Sequence, residues 1–179
     1  MEMTPRELWT ALHGMVFGAV YLLAFGAAFL SLWELRSSWL TPEGEQRATR
    51  RLILATWGMA IFAWVTVVTG SYVVYPWYRA KAPVGTHGTA LAAYPKYLLI
   101  SSEHTAEWHE FGMEWKEHIG WFVPILATAV AFIATQSRRR LASDAPLRRA
   151  VLMLQIIAFA AASVAGIFGA LINKVGPVR

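Results

Sequence analysis

At 179 residues the chain has the length of one ordinary domain, but 56% hydrophobic residues and a mean hydropathy of +0.42 argue against a soluble fold. The absence of cysteine excludes disulfides, thiolate-ligated iron–sulfur clusters and covalently attached c-type haem. The net charge of +5 gathers mainly in two short loops, which is a membrane pattern and not the footprint of a nucleic-acid partner.

Taken from the start, Thr4-Pro5 with Glu7 reads as a helix beginning: a capping side chain, proline at the first helical position, and an acid in the first turn. The first apolar run, Leu8 to Trp33, exceeds the roughly 7–15 residues of a signal-peptide core, and its flank mixes Glu2 and Glu7 with Arg6. It reads as a retained span. His13 lies early in this run, followed by Gly14, Gly18 and Gly26, whose spacing makes a smooth groove. Such a groove suits close helix packing, or room for a flat porphyrin beside a ligand helix.

Glu34 to Arg51 reads as a loop carrying Arg36, Arg47, Arg50 and Arg51. The second run, Leu52 to Trp77, ends in Tyr72, Tyr75, Trp77 and Tyr78, an aromatic belt, with Trp33 and Trp39 serving the other surface. A long connection follows, with His87 between glycines in its most flexible part, where a solvated side chain is the expectation.

Ser101 to Phe122 concentrates His104, His109 and His118 with five glutamates. At about 100° per residue, His104, Trp108, Phe111, Trp115 and His118 fall on one stripe, and Glu103, Glu107, Glu110, Glu114 and Glu117 on the next. One continuous helix predicts an aromatic and imidazole face toward protein or cofactor and an acidic face toward water or a basic partner. His109 falls about half a turn from His118, away from its site. This amphipathic lead-in extends the short third run, Ile119 to Thr135. A second arginine-bearing loop, Ser137 to Arg149, precedes the fourth run, Ala150 to Ile172, and Gly176-Pro177 stops the last helix.

Each run meets the roughly 17–25 residues needed to cross a bilayer core. The expectation is one all-α domain over 1–179, a four-transmembrane-helix bundle with helices at about 8–33, 52–77, 98–135 and 150–172. The arginine loops predict a multi-pass protein of the cell inner membrane, with both termini and the 79–118 region on the outer, periplasmic side. All five histidines then lie toward that surface. Trp9-x-x-x-His13-Gly14 and Trp115-x-x-His118-x-Gly120 each open a helix leading to a basic loop, so the bundle reads as two similar hairpins. A pseudo-twofold axis would place His13 and His118 at equivalent depths across the interior, as a six-coordinate haem iron requires. His104 lies about 21 Å along the helix from His118 and cannot serve the same iron.

This arrangement resembles the small membrane-bound b-type cytochromes with four-helix bundles. The resemblance covers the four spans and is carried by His13, His118 and the helix 1 glycines. It implies a non-covalent haem b with His13 and His118 as axial ligands and Gly14 and Gly18 beside it. It also implies quinol as membrane partner, a periplasmic or membrane redox subunit as the other, and a place as the cytochrome b subunit of a quinone-linked oxidoreductase. That family often carries a second histidine pair at the opposite surface. None stands here, so a single outward-side haem is implied, with Arg79, Lys81, Lys96 and Lys116 as propionate partners.

Two other classes compete. A non-haem metal site would use His104, His109 or His118 with a glutamate. Glu114, Glu117 and His118 echo the Glu-x-x-His motif of di-iron bundles, but the spacing is wrong and the other helices lack acids. The second class is a non-catalytic anchor or structural subunit of a larger membrane complex, docking a basic partner on its acidic stripe. Transport is disfavoured, since no helix carries a charge at mid-span.

Overall fold

The computed structural model describes residues 3–36 and 40–178. Those residues are all-helical, without strands. Four helices are long and apolar enough to cross a membrane: α1 (Pro5–Glu34), α2 (Pro42–Tyr78), α4 (Glu103–Gln136) and α5 (Ala145–Val175). A short helix, α3 (Pro95–Ile100), stands between α2 and α4. Trp39, expected as an interfacial anchor, lies outside the described residues.

Three helix starts differ from the sequence expectation, each for a local reason. α2 begins at Pro42, well before Leu52, so most of the expected arginine loop is helix. The Thr41 hydroxyl accepts from the Gly44 N–H at 3.1 Å, and Pro42 needs no N–H partner at the first position. α5 begins at Ala145 because Asp144 caps it, accepting from the Leu147 N–H at 2.9 Å. Hydropathy locates the membrane-crossing part of a helix, whereas caps locate its end. The third helix, expected as continuous over about 98–135, is broken at Ser101–Ser102. The Ser101 hydroxyl donates to the Leu98 carbonyl and the Thr105 hydroxyl to the Leu99 carbonyl, closing α3 before α4 opens.

The chain forms two compact units. Unit 1 comprises Met1–Gly18, Val65–Trp121 and Ala162–Arg179, and unit 2 comprises Ala19–Trp64 and Phe122–Ala161. Unit 1 packs Tyr78, Leu99, Met113, Ile172 and Val178 as its core, flanked by Tyr75, Trp108 and Phe168. Two glycines permit its closest approaches. A Cβ on Gly112 would stand 2.6 Å from the Phe168 ring, and one on Gly176 would stand 3.0 Å from the Pro95 carbonyl oxygen. At the start of α1 the Thr4 hydroxyl accepts from the Glu7 N–H while the Glu7 carboxylate accepts from the Thr4 N–H, a reciprocal cap of about 1 kcal/mol.

Unit 2 is built from small and aliphatic residues. Ala28, Leu32, Ala48, Leu52, Val130, Ala134, Leu141 and Val151 form its core. Lipid tails compete equally for apolar side chains, so packing here depends on small residues that let backbones approach and on hydrogen bonds between helices. Trp57 and Trp64 donate from their indole nitrogens to the hydroxyls of Thr135 and Thr128, both at 3.1 Å. Phe25 stacks on Phe159 with centroids 4.1 Å apart. The Arg148 guanidinium donates to the carbonyls of Leu141 and Ala142, satisfying backbone acceptors left beyond the end of α4. Leu23, Leu54, Phe132 and Met153 are exposed along these helices, the outward apolar surface a bilayer would cover.

Candidate functional site

Three helical segments widen into π turns, at Leu12–Val16 in α1, Gly70–Val74 in α2 and Trp108–Met113 in α4. All three belong to unit 1. Each contains a glycine, Gly14, Gly70 or Gly112. A π turn closes i→i+5 hydrogen bonds and is found most often at functional sites. Here they frame the buried polar side chains of the unit.

His13 lies in the first π turn, half-buried. Its ring rests on Gly70 of the second, where a Cβ would stand 2.5 Å from the imidazole Cε1. The Thr69 hydroxyl sits 3.4 Å from His13 Nδ1 and donates its own proton to the Val65 carbonyl at 2.7 Å. The ring also hydrogen-bonds the Thr66 backbone, so it is tied to the Thr66–Thr69 turn of α2. Lys116 lies close enough to act electrostatically on this ring. Its ammonium reaches toward Gly169 of α5, 3.2 Å from the position a Cβ would take there.

A second group surrounds the end of α2. The Tyr78 hydroxyl shares a 2.8 Å hydrogen bond with His109 Nδ1. Tyr75 stacks against Tyr78 with centroids 6.5 Å apart and reaches the Glu117 carboxylate, whose Oε1 is buried without a hydrogen-bond partner among the described residues. The Arg79 guanidinium lies over the Tyr75 ring at 5.1 Å.

α4 turns a different stripe inward from the one its spacing predicts. Gly112 and Met113 are buried and Lys116 and Glu117 half-buried, whereas His104, Phe111 and His118 are exposed. The π turn at Trp108–Met113 adds a residue to the helical period and offsets the stripes. Four of the five glutamates keep the expected outward face, and Glu117 is turned in. His118 presents 69% of its side chain, and its Nδ1–H donates to the Glu114 carbonyl of its own helix at 3.0 Å. The two histidines share no partner. His104 and His87 are exposed and His109 is held by Tyr78. Among the described residues no group of three or more histidine, aspartate or glutamate side chains is disposed to hold a metal ion.

Gly14 and Gly18 have open space where a Cβ would stand, with nothing within 4 Å, so the groove predicted beside His13 is not filled by a neighbouring helix. The sequence did not single out Thr69 as the group orienting His13, Gly70 as its seat, or the pairings of Tyr78 with His109 and Tyr75 with Glu117. Gly70 opening an aromatic-rich helix end was the one available signal.

Compared with protein-family models, with curated proteins and with solved structures, the chain matches none.

Proposed function

We propose that the chain is a membrane electron-transfer protein or subunit in which unit 1 holds a b-type haem near the outer membrane surface through His13 and His118 and exchanges electrons with quinol. The observation that carries this reading is the orientation of His13. Its ring is held by the Thr69 hydroxyl and the Thr66 backbone and seated on Gly70, beside a groove left open at Gly14 and Gly18. His118 has a fixed tautomer, since the Glu114 carbonyl can only accept and its Nδ1 must therefore carry the proton, and its exposed ring would have to turn toward His13 to complete the pair. An imidazole whose second nitrogen is fixed by a hydrogen bond is the form in which histidine ligates metals. Lys116 lies close enough to His13 to act on it electrostatically and would be the group to meet a haem propionate.

When bound, haem supplies one-electron redox chemistry. The chain's own groups would do the rest. His13 fixes the iron's position, Lys116 anchors a carboxylate, and Glu117 with Tyr75, or His109 with Tyr78, takes up protons released when quinol is oxidised. Ionisable groups retained within apolar spans are costly and commonly serve such paths. The inner membrane, with both termini in the periplasm, is the location this reading carries.

The test is a reduced-minus-oxidised visible spectrum of protein expressed with ample haem, for the wild type, His13→Ala and His118→Ala. A b-type band in the wild type that vanishes in both variants is the expected result. No band in the wild type would overturn the cytochrome reading and leave the structural-subunit class standing.

A further inference from the structure

Unit 2 contains a groove of about 460 Å³ whose lining reads along α2 as Arg47, Arg50, Arg51, Leu54, Ala55 and Gly58. These positions form one helical face, basic over its first turns and apolar beyond. Ala24 and Ala27 of α1 line the groove as well, and small side chains on both helices keep it open: a Cβ added at Gly58 would meet Ala24 only at 3.7 Å. A second cavity of about 430 Å³, lined by Glu34, Leu40, Gly44, Arg47 and Arg51, shares two of the arginines.

The charges decide what the groove can hold. Arg51 is paired with Glu34 at 2.5 Å, which uses the acid that lines the second cavity. Arg47 and Arg50 are exposed and, among the described residues, their side chains have no ion pair or hydrogen bond. Two free guanidiniums at the mouth of an apolar trough match an amphiphile with an anionic head, since a planar fork binds phosphate oxygens in pairs. A free phosphate would leave the trough unused. A zwitterionic lipid would bring an ammonium to a lining that carries three arginines and no carboxylate.

We propose that this groove binds one anionic phospholipid, its phosphodiester held by Arg47 and Arg50 and an acyl chain lying on Leu54, Ala55 and Gly58 against Ala24 and Ala27. Basic pockets beside membrane helices recognise anionic headgroups in this way. The site lies wholly in unit 2 and does not depend on the haem reading.

The full chain, purified in mild detergent and given equimolar phosphatidylglycerol and phosphatidylcholine, can be followed by native mass spectrometry. The wild type should retain phosphatidylglycerol over phosphatidylcholine by about 10-fold or more, with one high-affinity equivalent. Arg47→Gln with Arg50→Gln should bring that preference down to about 1, since each arginine near an anionic headgroup contributes roughly a factor of five. Arg138→Gln with Arg139→Gln removes equal charge elsewhere and should leave retention unchanged. Gly58→Leu keeps every charge, fills the trough and should also release the lipid. Equal retention by the Arg47/Arg50 variant, equal loss in the Arg138/Arg139 variant, or displacement of the lipid by millimolar inorganic phosphate would each overturn the proposal.

Discussion

Unit 1 holds every histidine and every lysine of the chain, together with the three π turns, while unit 2 holds most of the arginines and none of those turns. The same long helices run through both, so the difference is not one of secondary structure. In unit 2 polar side chains mostly complete the packing: two indoles bond two threonine hydroxyls, and Arg148 closes the end of a helix. In unit 1 titratable groups face one another around distorted backbone, and one carboxylate oxygen stays unpaired. A helix can be a regular packing element in one stretch and a widened holder of chemistry in another. The distortion marks where the second begins.

The largest effect that could break this comparison is on cofactor content. Gly18→Leu should leave the thermal melt of the protein within about 1 kcal/mol of wild type, because nothing stands near its Cβ position, yet should abolish or strongly reduce bound haem. Undiminished haem in a folded Gly18→Leu protein would separate the groove from the site. Next come paired glycine substitutions, read by unfolding in mixed micelles. Gly70→Ala and Gly112→Ala in unit 1 should each cost about 1–3 kcal/mol, since the new methyl meets the His13 ring at 2.5 Å or Phe168 at 2.6 Å. Gly58→Ala in unit 2, with its nearest neighbour at 3.7 Å, should be neutral or stabilising by up to about 1 kcal/mol. Equal costs in the two units would dissolve the contrast.

Gln155 tests whether unit 2 uses its buried polar groups at all. It is fully buried, donates to the Phe25 carbonyl only at 3.4 Å, and leaves Oε1 unpaired among the described residues. Gln155→Leu should therefore be neutral or raise stability by about 1 kcal/mol, measured by the same unfolding assay. The smallest effect concerns pH. The Leu147 N–H, and after it Arg140, hold the Asp144 carboxyl below the ordinary carboxylate range. A depressed folded value means that its contribution is complete above about pH 4 and is lost as the pH falls through the folded value. Wild-type melts should show this acid-dependent loss, and Asp144→Asn should lack it.

The four spans were legible because hydropathy accumulates over some twenty residues and survives local error. Helix starts were less so. Thr41-Pro42 and Asp144 are ordinary capping signals, but they sit among arginines that made both stretches read as loops. His13 stood out as an ionisable residue in an apolar run, whereas its orienting partner did not: Thr69 is 56 positions away in sequence and resembles any other threonine of a span. The inward stripe of α4 was misplaced because the reckoning assumed a constant period, and a π turn carries no compositional mark beyond a glycine.

Each π turn also takes up one residue beyond the regular helical count. Deleting one residue from Trp108–Met113 would let α4 close as an ordinary helix with its two flanks in the same phase, whereas closing the turn with every residue kept would rotate everything beyond it by about 100°. In the second case Lys116 and Glu117 would leave the interior, and the face bearing His118 would turn toward it. The identity of the residues a helix offers to its neighbours is thus set by the number of residues before them as well as by their own chemistry. A single-residue deletion within one of these three turns is one the chain should tolerate better than the same deletion in the regular helix beyond it.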